Sequence, residues 1–124
     1  MGGSIRILVV EDEAPLAEML LALLQEEGFE VAGPAGTVNR AMDVIESSRV
    51  DAAILDIRLF DELSYPVAYA LGDRGIPFMF LTSHRRADLP TDLRCRPLIE
   101  KPFHAPELFR TMRGLLSAAR APAT

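Results

Sequence analysis

Ile5-Arg6-Ile7-Leu8-Val9-Val10 runs directly into Glu11-Asp12-Glu13. A β-branched apolar run of this length suits a strand buried on both faces, and the acids end it. From Pro15 the period changes to that of a helix. Leu16, Leu20, Leu23 and Leu24 share one stripe, proline is tolerated in a first turn, and Gly28 follows as a stop. Phe29 to Ala32 then reads as a second strand.

The same alternation continues along the chain. Val38, Ala41, Met42 and Ile45 form the next helical stripe, and Asp51-Ala52-Ala53-Ile54-Leu55-Asp56 is a third strand with an acid at its exit. Ser64 reads as an N-cap for a short helix, Tyr65 to Leu71, with Pro66 in its first turn and an end near Gly72 or Gly75. Phe78 to Thr82 is strand four and Leu98 to Glu100 a short strand five. Between them, Arg85 to Pro97 has no helical period and contains Pro90 and Pro97, so it reads as a loop or frayed turn. Pro106 and Glu107 open a last helix, with Leu108, Met112, Leu115, Leu116 and Ala119 on one face.

Strands alternating with helices predict a doubly wound parallel sheet covered on both faces. In such sheets ligand chemistry gathers at the carboxyl ends of the strands. Glu11 and Asp12, Asp56, Thr82 and Lys101 all fall at strand exits. Taken singly, each has a plain structural role: acids at a helix start, a turn former, a strand residue, a surface turn. Their common placement on one edge favours a site.

The composition limits what that site serves. A chain of 124 residues is about one domain, read here as 1–124 with a core of about 5–120 and no output domain. No apolar run approaches a membrane span. Met1-Gly2-Gly3-Ser4 lacks the basic start and apolar middle of a secretory signal, which predicts a cytoplasmic protein. A net charge of -5 argues against a nucleic-acid surface. Cys95 is the one cysteine and reads as incidental.

Carboxylates converging from neighbouring strand ends repel, by about 4 kcal/mol for a pair roughly 4 Å apart at an effective dielectric near ~20. A cation relieves this. Because the donors are all oxygens, Mg2+ fits better than zinc, and it bridges readily to phosphate. Asp56 then serves as nucleophile for an aspartyl phosphate, Lys101 neutralises a phosphoryl oxygen, and Thr82 donates a hydrogen bond to another. Arg58 and His84 follow Asp56 and Thr82 by two residues and are expected to border the phosphoryl group and tune its loss to water.

Glu11-Asp12, Asp56, Thr82 and Lys101-Pro102-Phe103 resemble the receiver domain of two-component response regulators over almost the whole chain. The resemblance implies a flavodoxin-like five-stranded sheet of order 2-1-3-4-5. It implies phosphorylation of Asp56 by a sensor histidine kinase or histidine phosphotransfer protein. It also implies that Asp12 binds Mg2+ directly, Glu11 acts through water, and the backbone carbonyl of Arg58 completes the ligands. The chain departs from the pattern at Phe60 and Ser64, where many receivers have proline and glycine, and at Leu98, where a switch aromatic is usual. The short interval from Thr82 to Lys101, with a fourth helix short or missing, resembles a subgroup of stand-alone receivers. Those carry Phe-Ala-Thr-Gly where this chain has Phe80-Leu81-Thr82-Ser83, often with a stretch like Tyr65 to Ala68.

Two other readings compete. One keeps the fold as a protein-binding module without productive phosphorylation. The other, an aspartyl phosphatase, wants a second acid where Arg58 stands, and so is disfavoured. The chain is therefore expected not to be an enzyme beyond catalysing its own phosphoryl uptake and loss. Arg85, Arg86, Arg94 and Arg96 make the loop locally basic; a solvated loop is favoured over an acidic docking partner.

Overall fold

A computed structural model describes residues 4–120 of the chain. The first residues and the small-residue tail after Arg120 lie outside the described part. Five parallel strands form the main sheet: β1 (Arg6–Val10), β2 (Glu30–Ala35), β3 (Ala52–Leu55), β6 (Phe78–Thr82) and β7 (Leu98–Glu100). Their order is β2-β1-β3-β6-β7, the predicted 2-1-3-4-5. A two-stranded hairpin, β4 (Arg58–Leu59) and β5 (Glu62–Leu63), lies between β3 and the third helix.

Alternating side chains of each strand feed two cores, as a sheet buried on both faces requires. Ile7, Val9, Ile54, Met79, Leu81 and Ile99 pack under helices α1 (Ala14–Glu26) and α4 (Ala105–Arg120). Leu8, Val10, Ala53, Leu55, Phe78 and Phe80 pack under α2 (Val38–Ser47) and α3 (Tyr65–Asp73). None of the described helices is long and apolar enough to cross a membrane.

The second strand runs beyond the expected Phe29 to Ala32. It shifts register between Leu8 and Val10 and continues through Gly33-Pro34 to Ala35. Gly33 permits this: it has φ +88°, and a Cβ there would lie 2.8 Å from the Ala35 nitrogen. As an edge strand, β2 also tolerates a proline without an N–H.

Residues 83–97 contain no α-helix, and the loop or frayed turn expected there takes a defined form. Two 3-10 turns, Arg86–Asp88 and Thr91–Leu93, place Leu89 and Leu93 in the α2/α3 core, where a fourth helix would lie. Lacking a helical ladder, the segment binds its carbonyls with arginine forks. Arg86 Nη1 donates to the carbonyls of Arg94 (2.5 Å) and Arg96 (2.6 Å), while Arg94 donates to those of Leu89 and Ala87. Arg96 stacks over the Phe78 ring at 4.5 Å. Arg85, Arg86 and Arg94 are exposed, as a solvated loop predicts, yet Arg86, Arg94 and Arg96 also tie the segment together.

The β4–β5 hairpin was not anticipated, because its turn, Phe60-Asp61, has no glycine. Phe60 itself takes a positive φ of 57°, a conformation that tight hairpins ordinarily give to glycine or asparagine. The residue is 83% exposed, so burial does not offset the backbone cost. A left-handed residue costs about 1–2 kcal/mol, part of which glycine returns through its looser unfolded chain. Phe60→Gly is expected to stabilise the protein by about 0.5–1 kcal/mol, seen as a higher urea midpoint at unchanged slope. A lower midpoint would mean that the ring itself supports the hairpin.

Candidate functional site

Sheet register builds the site before any side chain is considered. Val10 pairs with Leu55, and the Asp56 N–H donates to the Val10 carbonyl at 2.9 Å, so Glu11 and Asp56 leave the sheet side by side. On the far side, the Lys101 N–H donates to the Thr82 carbonyl at 2.8 Å, which starts the lysine at the same edge. The Lys101-Pro102 bond that follows is cis.

Carboxylate oxygens of Glu11, Asp12 and Asp56 lie within 4.8 Å of one another. Glu11 and Asp56 are buried, at 4% and 7% exposure, whereas Asp12 is exposed. Lys101 Nζ enters this cluster and donates to Asp56 Oδ2 at 2.9 Å, Glu11 Oε1 at 3.0 Å and Glu13 Oε1 at 3.3 Å. Burial alone would lower the lysine's pKa, but hydrogen bonds to Asp56 and Glu11 outweigh it and hold the amine above its ordinary range. Glu11 is pushed up to about 7, chiefly by burial and further by the Asp56 charge, against the opposing pull of Lys101 and the Glu13 N–H.

A cavity of about 360 Å³ opens over Asp56, lined also by Asp12, Glu13, Arg58, Phe60, Ser83, His84 and Lys101. Arg58 and His84 thus both border it. Thr82 is fully buried at the end of β6, and its hydroxyl is engaged by His84: it accepts from the His84 N–H at 3.2 Å and lies 3.3 Å from Nδ1.

Ser64 is the N-cap residue of α3, as expected, and its carbonyl accepts from Val67 and Ala68, but its hydroxyl makes no cap bond. That hydroxyl instead donates to the Asp56 carbonyl at 2.5 Å, in a fully buried setting. It pins the backbone that carries the acid. No local sequence signal distinguishes this from a cap, since the partner lies eight residues upstream. Two acids outside the expected site also acquire roles: Glu13 on Lys101, and Glu62, whose Oε2 accepts from the Val38 N–H at the start of α2.

The family model for the response regulator receiver domain matches residues 7–113. The chain belongs to that family. Among curated relatives, the DNA-binding response regulator MtrA of Mycolicibacterium paratuberculosis is 36% identical over 115 residues, which are 90% of this chain and 51% of that protein. The receiver chain spans about half the length of the curated relatives it matches. The solution structure of SdrG from Sphingomonas melonis Fr1 is 38% identical with a TM-score of 0.81, covering 94% of this chain and 99% of that one. Response regulator protein TrrA of Thermotoga maritima, solved in complex with Mg2+-BeF, is 31% identical with a TM-score of 0.77, covering 90% and 99%.

Two outcomes follow from the geometry. Ser64→Ala leaves a buried carbonyl beneath Asp56 without its partner and is expected to cost about 1–3 kcal/mol, measured by urea unfolding against wild type. The folded receiver also holds the Glu11 proton more tightly than the unfolded chain does. This carboxyl's contribution to stability is therefore full below about pH 4.5 and lost as pH rises to about 7. In chelator-treated protein the thermal midpoint should fall across that window by an amount missing from Glu11→Gln; equal pH profiles would refute the assignment.

Proposed function

We propose that this receiver accepts a phosphoryl group on Asp56 from a sensor histidine kinase or histidine phosphotransfer protein, and acts in the cytosol in two-component signal transduction. The observation that carries the reading is the pairing of a nearly buried Asp56 carboxylate with Lys101 at 2.9 Å, beside two further carboxylates, at the floor of an open cavity. A nucleophilic aspartate needs the charge of the incoming group neutralised, and these are the groups that can do it.

The donor set suits a hard divalent cation. Glu11, Asp12 and Asp56 offer only oxygens, and the chain bears no nitrogen or sulfur ligand among them. With the Arg58 carbonyl, they are the residues that would hold Mg2+, as the Mg2+-BeF complex of TrrA also suggests. When bound, the ion supplies charge neutralisation for the transferring phosphoryl group.

The chain's own residues have the remaining roles. Asp56 presents the attacking oxygen from a backbone held by Ser64. Lys101 binds a phosphoryl oxygen, and Thr82 gives its hydroxyl to another on leaving His84. Arg58 and His84 stand at the cavity wall, where they control the approach of water. Such a protein promotes only its own phosphorylation and its loss, and signals to a protein partner. We read the matched region as one receiver domain whose output depends on that partner.

With a small phosphodonor and Mg2+, the intact mass should rise by one phosphoryl group, and the gain should vanish in Asp56→Asn. Lys101→Met should slow labelling by about 100-fold, the scale of removing one donor to a developing anion. No mass gain across donors would instead favour an interaction module that keeps the fold without the chemistry.

A further inference from the structure

Lys101 has three N–H donors, and each already has a carboxylate. An ammonium has no fourth. If Lys101 is to take a phosphoryl oxygen, as the preceding reading requires and on which this inference rests, one acid must let go.

The three acids differ sharply. The side chains of Glu11 and Asp56 are 2% and 9% exposed, so water does not readily take the place of the lysine on either. Glu13 makes the longest contact, at 3.3 Å, and its side chain is 65% exposed, so water can replace the lysine there. Its place in the chain supports the same choice. Glu13 is the residue before α1 and makes no side-chain cap bond, so its carboxylate is not engaged by that helix. Its side chain turns to Lys101 and lines the cavity through which a phosphoryl group reaches Asp56.

We propose that Glu13 is a positioning residue: it occupies the third N–H of Lys101 in the resting receiver and yields it to the incoming phosphoryl oxygen. Glu13 thereby holds the ammonium in place for Asp56 while setting a small barrier to phosphorylation.

The test uses acetyl phosphate with Mg2+. A carboxylate oxygen of Asp56 bonds to phosphorus, the bond from phosphorus to the acetyl oxygen breaks, and acetate leaves. Labelling rates are read by intact mass in wild type, Glu13→Gln and Glu13→Asp. Removing the competition should speed labelling by about two- to fivefold, the scale of an exposed ion pair. Glu13→Asp separates this from simple charge repulsion, since it keeps the charge but shortens the reach to Lys101. Both variants should be faster. In metal-free protein, both should also shift the Lys101 Cε resonance relative to wild type.

A faster Gln variant with an Asp variant equal to wild type would assign the effect to charge alone and overturn the proposal. Unchanged or slower labelling in both variants would overturn it too, while leaving phosphorylation of Asp56 intact. No labelling of wild type would instead remove the functional reading, and this inference with it.

Discussion

One ammonium among three carboxylates is the constraint around which this receiver is arranged. The strands β1 and β3 deliver Glu11 and Asp56 to the same edge because Val10 and Leu55 are in register. Two buried acids at that separation cannot both stay ionised without a cation, and Lys101, entering from the far side of β6, is the cation the chain provides. The upward push on the Glu11 carboxyl and the raised basicity of Lys101 are two sides of that balance.

Everything nearby serves to hold these groups without filling the cavity above them. Ser64 fastens the Asp56 carbonyl from below, and Glu62 ties the β4–β5 hairpin to the start of α2. The hairpin carries Phe60 to the cavity wall at the expense of a left-handed backbone. A turn that spends stability on an exposed ring is consistent with a role outside the folded core.

The α2/α3 face solves a different problem. With no α-helix between β6 and β7, two 3-10 turns and the irregular chain around them have to cover the sheet and satisfy their own carbonyls. Leu89 and Leu93 do the covering, and the guanidinium groups of Arg86 and Arg94 do the satisfying. Leu98, at the position where receivers commonly bear an aromatic, packs partly buried against the same core. Arg96 also stacks on Phe78 of the core, and Tyr69 on α3 joins the segment through Asp92.

Much of this was legible in the chain itself. Apolar runs of period two and stripes of period 3.6 are local features, so the alternation of strands and helices, and the placement of Glu11, Asp12, Asp56, Thr82 and Lys101 at strand exits, follow from neighbours in sequence. What was not legible depends on partners far apart in the chain or on backbone that carries no composition signal. The second strand passes Gly33-Pro34 because it lies at the sheet edge; the hairpin turns at Phe60 without a glycine; and Ser64 chooses the Asp56 carbonyl over its own helix. The sequence alone determined that Glu11, Asp12, Asp56, Thr82 and Lys101 stand at strand ends along one edge, because periodicity dictates which strand end each one occupies. Only the tertiary structure decided how those groups share their hydrogen bonds, including the claim of Glu13 on Lys101, because donors and acceptors 88 residues apart become competitors only after folding.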